Sequence, residues 1–209
     1  MGCDIHIIVE RQAESGQWQR VWQHSYDVPD PEGTPERFRD RNYDLFGILA
    51  DVRNGHGFAG IATGSGWPSI APNRGIPTDS TVTKEDEREY RLGDHSFTWV
   101  SLDELKAFDW DGTVAESYGV VARDEYTRMR QANEDRPQQW CGGISGRDVL
   151  TVTENELLAA KEPIPFSHVR LSWKETAREG TGDWIGDVQP WLETLAEGRP
   201  LRLVFGFDS

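Results

Sequence analysis

The chain is short of most features that announce a function. Two cysteines, Cys3 and Cys141, are too few for a disulfide framework, and a reduced, cytoplasmic setting is the expectation. No run approaches the roughly 18 apolar residues of a membrane span, and no basic, apolar leader opens the chain. There is no Asn-x-Ser/Thr sequon, no P-loop, no dinucleotide-binding glycine fingerprint after a strand and no Gly-x-Ser-x-Gly elbow. No HxxxH, HxH or CxxC spacing marks a metal site, and no internal repeat is present.

Positive charge is also scarce. Lys and Arg number 22 against 36 Asp and Glu, a net charge of −14. Bulk nucleic-acid binding needs the opposite balance to displace counterions. A small anionic ligand in a local basic pocket stays open, and so does mimicry of a polyanion. Mean hydropathy is low, at −0.65. Yet nine Trp, eight Phe and five Tyr supply the bulk of a core, which a disordered chain lacks. At 209 residues, one domain over 1–209 is expected.

The local patterns predict an α+β fold. Cys3, Ile5, Ile7 and Val9 alternate with Asp4, His6, Ile8 and Glu10, and Trp18–Gln23 alternates again beyond a turn at residues 14–17. Together they read as a β-hairpin. Residues 26–35 read as loop. Leu45, Ile48, Leu49 and Val52 recur at helical spacing. Asp40 or Asn42 would cap that helix, and Gly55 lies past its end. Residues 53–78, with six Gly and three Pro, predict a long irregular segment serving as lid or binding loop. Ser101-Leu-Asp-Glu104 and Thr153-Glu-Asn-Glu156 are capping boxes, each with a hydrophobic staple. Residues 123–134 predict a surface helix and 136–147 a second Gly-containing loop. The last third reads strand (166–173), helix (184–195, which Pro190 should kink or restart) and strand (201–207). The whole predicts a small mixed sheet built from the N-terminal hairpin and this C-terminal strand-helix-strand unit. Helices would pack on one face, and parallel neighbouring strands would make the helix a right-handed crossover.

Four sets of residues are suited to chemistry. Asp4 and His6 share one face of a strand, where they serve as metal ligands or as a base with its orienting acid; a half-exposed polar strand face explains them equally. Asp94 and His95, in Gly-Asp-His-Ser96, are the natural partners. Asp4, His6 and His95 would hold a divalent metal with open positions, Asp94 acting as base or fourth ligand, while His95 serves as readily as a structural residue. Arg41, Asn42, Arg53, Asn54, Arg74 and Gly75 flank the irregular segment, placed either to fork onto a phosphate or to pair with nearby carboxylates. Trp67, Trp99, Trp110 and Trp140 lie outside the regular apolar stripes, where an aromatic stacks a base or fills the core.

Several of these motifs resemble a family of bacteriophage and bacterial proteins. The likeness rests on Met-Gly-Cys-Asp-Ile-His6, Arg41-Asn-Tyr-Asp-Leu-Phe-Gly-Ile-Leu-Ala-Asp-Val-Arg53, Arg74-Gly-Ile-Pro77, His95-Ser96 with Trp99–Leu105, and Arg202-Leu-Val-Phe-Gly-Phe-Asp208. It labels a family and not an activity. It matches the family's recurring polar positions at Asp4, His6, Arg41, Asn42, Arg53, Arg74, Gly75, His95 and Ser96, and departs at Gly206, where members carry Trp. By analogy it implies a phage protein in the host cytoplasm that sequesters a nucleotide immune signal. A metal-dependent phosphoesterase using Asp4, His6 and His95 is the alternative, and an acidic protein that inhibits a host factor the third. All share one expectation: polar groups of the N-terminal ribbon meet arginines and His95 from mid-chain in one pocket. The small anionic ligand of that pocket is the expected partner, and a divalent metal its one candidate cofactor.

Overall fold

The computed structural model describes residues 2–23 and 30–208, so part of the expected loop at 26–35 lies outside the described residues. The fold is α+β with two sheets. Strands β1 (Asp4–Gln12) and β2 (Trp18–Gln23) form the expected hairpin, with Gly16 at φ +82° in its turn. The C-terminal strand β7 (Leu201–Asp208) lies antiparallel along β1, from Asp4 opposite Asp208 to Arg11 opposite Leu201. Strand β3 (His95–Ser101) closes the other edge of β7, giving the order β2-β1-β7-β3. The second sheet has the order β4-β6-β5, from β4 (Val114–Ala122), β6 (His168–Thr176) and β5 (Thr151–Thr153).

The strand-helix-strand unit is corrected here. Its first strand, β6, belongs to the second sheet and its last, β7, to the first, so helix α7 (Trp184–Ala196) is no crossover within one sheet. Both edges of β7 are taken by β1 and β3, leaving β6 no place beside it. The first sheet is antiparallel throughout, and the parallel pair, β5 with β6, lies in the second. Pro190 sits inside α7 without interrupting it.

Helix α1 (Tyr43–Ala50) starts where Asn42 accepts the Leu45 N–H at 2.9 Å. It ends earlier than expected, on left-handed Asp51 at φ 62° rather than near Gly55. Its side chains from Leu45 to Ala50 are all buried. Capping boxes open α3 (Leu102–Ala107) and α5 (Glu154–Ala159) as read, and α4 (Arg123–Gln131) buries only Met129. Two unforeseen helices carry the same signal: Thr83 with Asp86 opens α2 (Lys84–Arg88), and Thr176 with Glu179 opens α6 (Ala177–Gly180).

The main core lies between one face of the first sheet and α1, α3 and α7. Ile5, Ile7 and Val9 point into it beside Leu203, Phe205 and Phe207. The opposite face is not the half-exposed polar surface that alternation predicts. Ile8 and Val204 pack there with Leu92, flanked by Ile76, Val82, Phe97 and Trp99. Glu10 is fully buried on that face and accepts from Ser80, Thr81 and Arg202, while Arg20 forks onto Asp86 of α2. Residues 76–92 thus roof the sheet, held by charged and hydroxyl groups together.

Gly206 belongs to this packing. A Cβ at that position would collide with the Leu92 carbonyl and lie 2.6 Å from the Phe97 ring. Any larger side chain here needs a different roof.

Candidate functional site

The antiparallel register of β1 and β7 gathers the polar groups of the amino terminus. Asp4 lies opposite Asp208 and His6 opposite Gly206. The Asp4 N–H donates to Asp208 Oδ1 at 3.0 Å, and His6 Nε2 stands 3.0 Å from Asp208 Oδ2. Arg41, just before α1, reaches across to donate to both oxygens of Asp4, at 2.8 and 2.7 Å. These hydrogen bonds hold the Asp4 carboxyl below the usual carboxylate range. Arg53 comes from the other end of α1. Its backbone is left-handed at φ 54°, and its guanidinium lies 5.6 Å from the Tyr43 ring centroid. It also flanks the Cys3 thiol, which burial pushes up against the pull of Arg53.

The other expected members stand elsewhere. His95 lies opposite Phe207 and stacks on its ring at 6.2 Å. Positions 207 and 208 leave opposite faces of β7, so His95 does not join Asp4 and His6. Asp94 is exposed and donates its N–H to the Phe207 carbonyl, and Ser96, at φ 53°, pairs with the His95 ring. The expectation of a metal held by Asp4, His6 and His95 is corrected accordingly: among the described residues, no three His, Cys, Asp or Glu side chains are grouped to hold a metal ion.

Arg74 lies over Trp99, whose partner Val204 is four positions, about 13 Å of strand rise, from Asp208. There it pairs with Glu104 at 2.8 Å and lies over the Trp99 ring at 5.1 Å. Partial burial would raise Glu104, but hydrogen bonds from Arg74 and Ser101 override it and bring the carboxyl down to about 2. Gly75, at φ +74°, donates to the Phe97 carbonyl in the same place.

Residues 53–78 are anchored at Asn54 and Trp67. Trp67 is buried, its indole N–H donating to Asp44 Oδ1 at 2.8 Å. Asn54 brackets the Trp67 backbone, accepting its N–H at 2.7 Å and donating to its carbonyl at 2.8 Å. Neither offers itself to a ligand, and Trp110 is also core. Asn42 caps α1 and reaches the Gly180 carbonyl at 3.2 Å.

What remains is a groove at the start of α1. A hollow of about 290 Å³ is lined by Arg41, Tyr43, Arg53, His56, Thr63 and the exposed Trp140, with Asn42, Asp44, Gly57 and Gly180. It shares Asn42, Asp44, Trp140 and Gly180 with a larger cleft of about 880 Å³, so the two run together. The far cleft is rich in carboxylates, among them Asp44 and Glu175, balanced by Arg37, Arg136 and Lys174. Sequence reasoning had no hold on Tyr43, Asp44, His56 or Glu175. They sit in helix, strand and loop patterns that read as ordinary, whereas Arg41, Asn42, Arg53 and Trp140 were visible.

Asp44 is the carboxyl of the groove whose proton is held more tightly than usual. Burial lifts its carboxyl to about 6, with help from the Glu175 charge and against the Trp67 hydrogen bond. An unfolded aspartate releases its proton near 3.8, so folding takes up a proton between these values. Stability at this site therefore falls as pH rises through that window. Asn at 44 keeps the acceptor for Trp67 and removes the charge. Asp44→Asn is expected to gain about 1–2 kcal/mol over the wild type at pH 7 and nothing at pH 3. Urea unfolding at the two pH values measures the difference.

Comparison with known proteins gives no match: no family model, curated protein or solved structure matches this chain. Among the described residues no helix is long and apolar enough to cross a membrane.

Proposed function

We propose that this chain binds a small phosphorylated nucleotide-type ligand in the groove at the start of α1. The observation that carries this reading is the juxtaposition of Arg41, Arg53 and His56 with the exposed Trp140 ring around one hollow. Guanidinium groups fork onto phosphate oxygens, and the helix start adds its partial positive charge. An indole face takes a base of any kind. Arg41 must exchange Asp4 for phosphate, and a solvent-exposed pair of this sort is weak. Asp4 sets the angle of Arg41, and neither Asp4 nor Asp208 lines the hollow. The host-signal sequestration that the family resemblance implies is the biological role proposed with it.

Calorimetry against linear and cyclic nucleotides tests the reading. Heat is expected with at least one of them. Trp140→Ala should weaken that binding by about 10- to 100-fold, the equivalent of one base stack. Arg41→Ala should weaken it further at low salt than at high salt. Absence of heat across the panel would remove the proposal.

A further inference from the structure

The hollow at the start of α1 holds one group whose chemistry phosphate binding leaves unused, the His56 imidazole. Its place is set by a tight turn. The Arg53 carbonyl accepts the His56 N–H at 2.7 Å, so residues 53–56 form a β-turn whose end Cα atoms lie within roughly 7 Å. Gly55 takes the third position at φ +71°, where a type II turn requires a positive φ. A Cβ there would stand 2.7 Å from the Gly64 carbonyl oxygen. The Gly55 carbonyl accepts the N–H groups of Thr63 and Gly64, at 2.9 and 3.2 Å, and His56 bridges to Ala62. The Asn54 side chain ties the second position to Asp51 and Trp67. Arg53 and His56 therefore leave the two ends of one braced turn, and both line the same hollow of about 290 Å³. A phosphate forked by Arg53 lies beside the imidazole.

The two ring nitrogens are told apart by geometry. Nδ1 lies 2.8 Å from the Asn54 carbonyl oxygen, which only accepts, so Nδ1 carries the hydrogen. Nε2, on the far side of the ring, keeps its lone pair in the neutral imidazole. The same hydrogen bond orients the ring and raises the basicity of Nε2. When Nε2 bonds to phosphorus the ring becomes cationic, and the Asn54 carbonyl is already aligned to stabilise that charge. Arg41 and Arg53 offset charge on the phosphoryl oxygens. A phosphoanhydride suits this arrangement, because a phosphate leaving group departs without a proton donor.

We infer that His56 Nε2 takes up the terminal phosphoryl group of a nucleoside triphosphate as the first half of its hydrolysis, a step that rests on the nucleotide reading above. The Nε2 lone pair forms the N–P bond as the P–O bond to the nucleoside diphosphate breaks, and that electron pair leaves on the diphosphate oxygen. Water then bonds to phosphorus, the P–N bond breaks with its pair returning to Nε2, and the proton of the water passes to solvent. The products are nucleoside diphosphate and inorganic phosphate. His56 is the catalytic residue, and Asn54 and Gly55 are positioning residues that hold its ring beside Arg53.

The test incubates the full chain with ATP, GTP, CTP and UTP labelled with ³²P at the terminal phosphate. Alkaline quenching and a denaturing gel follow, with calorimetry on the matching β,γ-imido analogues. Label that survives alkali and is lost in acid, the signature of a phosphorus–nitrogen bond, is expected on the wild type with at least one nucleotide. His56→Gln should abolish the label and slow phosphate release at least about 100-fold, while affinity for the analogue falls by less than about tenfold. His56 is exposed, so this change leaves the fold intact. Binding heat with neither label nor phosphate release would overturn the transfer and leave the binding reading standing. Phosphate release without label, or label that persists in His56→Gln, would also overturn it. No heat, label or release with any nucleotide would remove both readings.

Discussion

Arg202→Leu is expected to destabilise the protein by about 3–5 kcal/mol. Arg202 is 4% exposed and donates from Nε to Glu10 Oε2 at 2.7 Å and from Nη1 to Asp79 at 2.9 Å. Its guanidinium lies 3.9 Å from the Trp18 ring centroid and 5.9 Å from that of Trp99. Glu10 is fully buried. With the arginine gone, its carboxylate keeps only Ser80 and Thr81 as donors, without a cation. A buried ion left uncompensated costs far more than the pair contributes when whole. Partner removal should therefore be partly repaired by neutralising Glu10. Arg202→Leu with Glu10→Gln should recover about 1–3 kcal/mol over the single variant, a coupling that unrelated sites do not show. Urea denaturation of the four proteins reads this directly. Equal losses from the two single changes that simply add would refute the pairing as the anchor of the roof.

Phe38→Ala is expected to cost a similar amount, about 3–5 kcal/mol, for a different reason. Phe38 has no exposed surface, although it sits in a single 3-10 turn (Glu36–Arg39) in an otherwise polar stretch. Its ring meets Trp22 at 4.9 Å and Trp191 at 4.7 Å edge-on, and stacks on Trp184 at 6.4 Å. Removing it opens a cavity among three indoles that belong to β2 and α7 and have few ways to collapse. Trp184 also borders the large cleft. The loss should appear as a lower urea midpoint with an unchanged slope, together with a shifted tryptophan emission. An effect under about 1 kcal/mol would show that the aromatic cluster repacks freely.

Local chemistry was legible wherever a short motif settles its own outcome. Ser101 with Glu104 and Thr153 with Glu156 cap helices because a hydroxyl and a carboxylate three residues apart satisfy each other's backbone donors. The same rule, applied to Thr83 and Thr176, would have found α2 and α6. Asn42 was read both as a cap and as a ligand group, and the cap is what the fold uses. The site was legible in part. Arg41 and Arg53 flank one helix, so their nearness follows from its length of eight residues. His95 could not be placed this way, because it is positioned by a strand pairing with a residue more than a hundred positions later, and Arg74 is held from a loop by Trp99 and Glu104 on the next strand and helix.

Residue order alone decides the secondary elements, the α+β class and the cationic ends of α1, since each depends on neighbours a few positions apart. Tertiary structure decided that β6 and β7 part company, that Glu10 and His6 are covered, and that Asp44 meets the Trp67 indole. These outcomes depend on which strand edges remain free and which surfaces stay wet once the chain has closed on itself. A burial cost or a carboxyl's protonation is set by those distant neighbours, and no local pattern carries their positions.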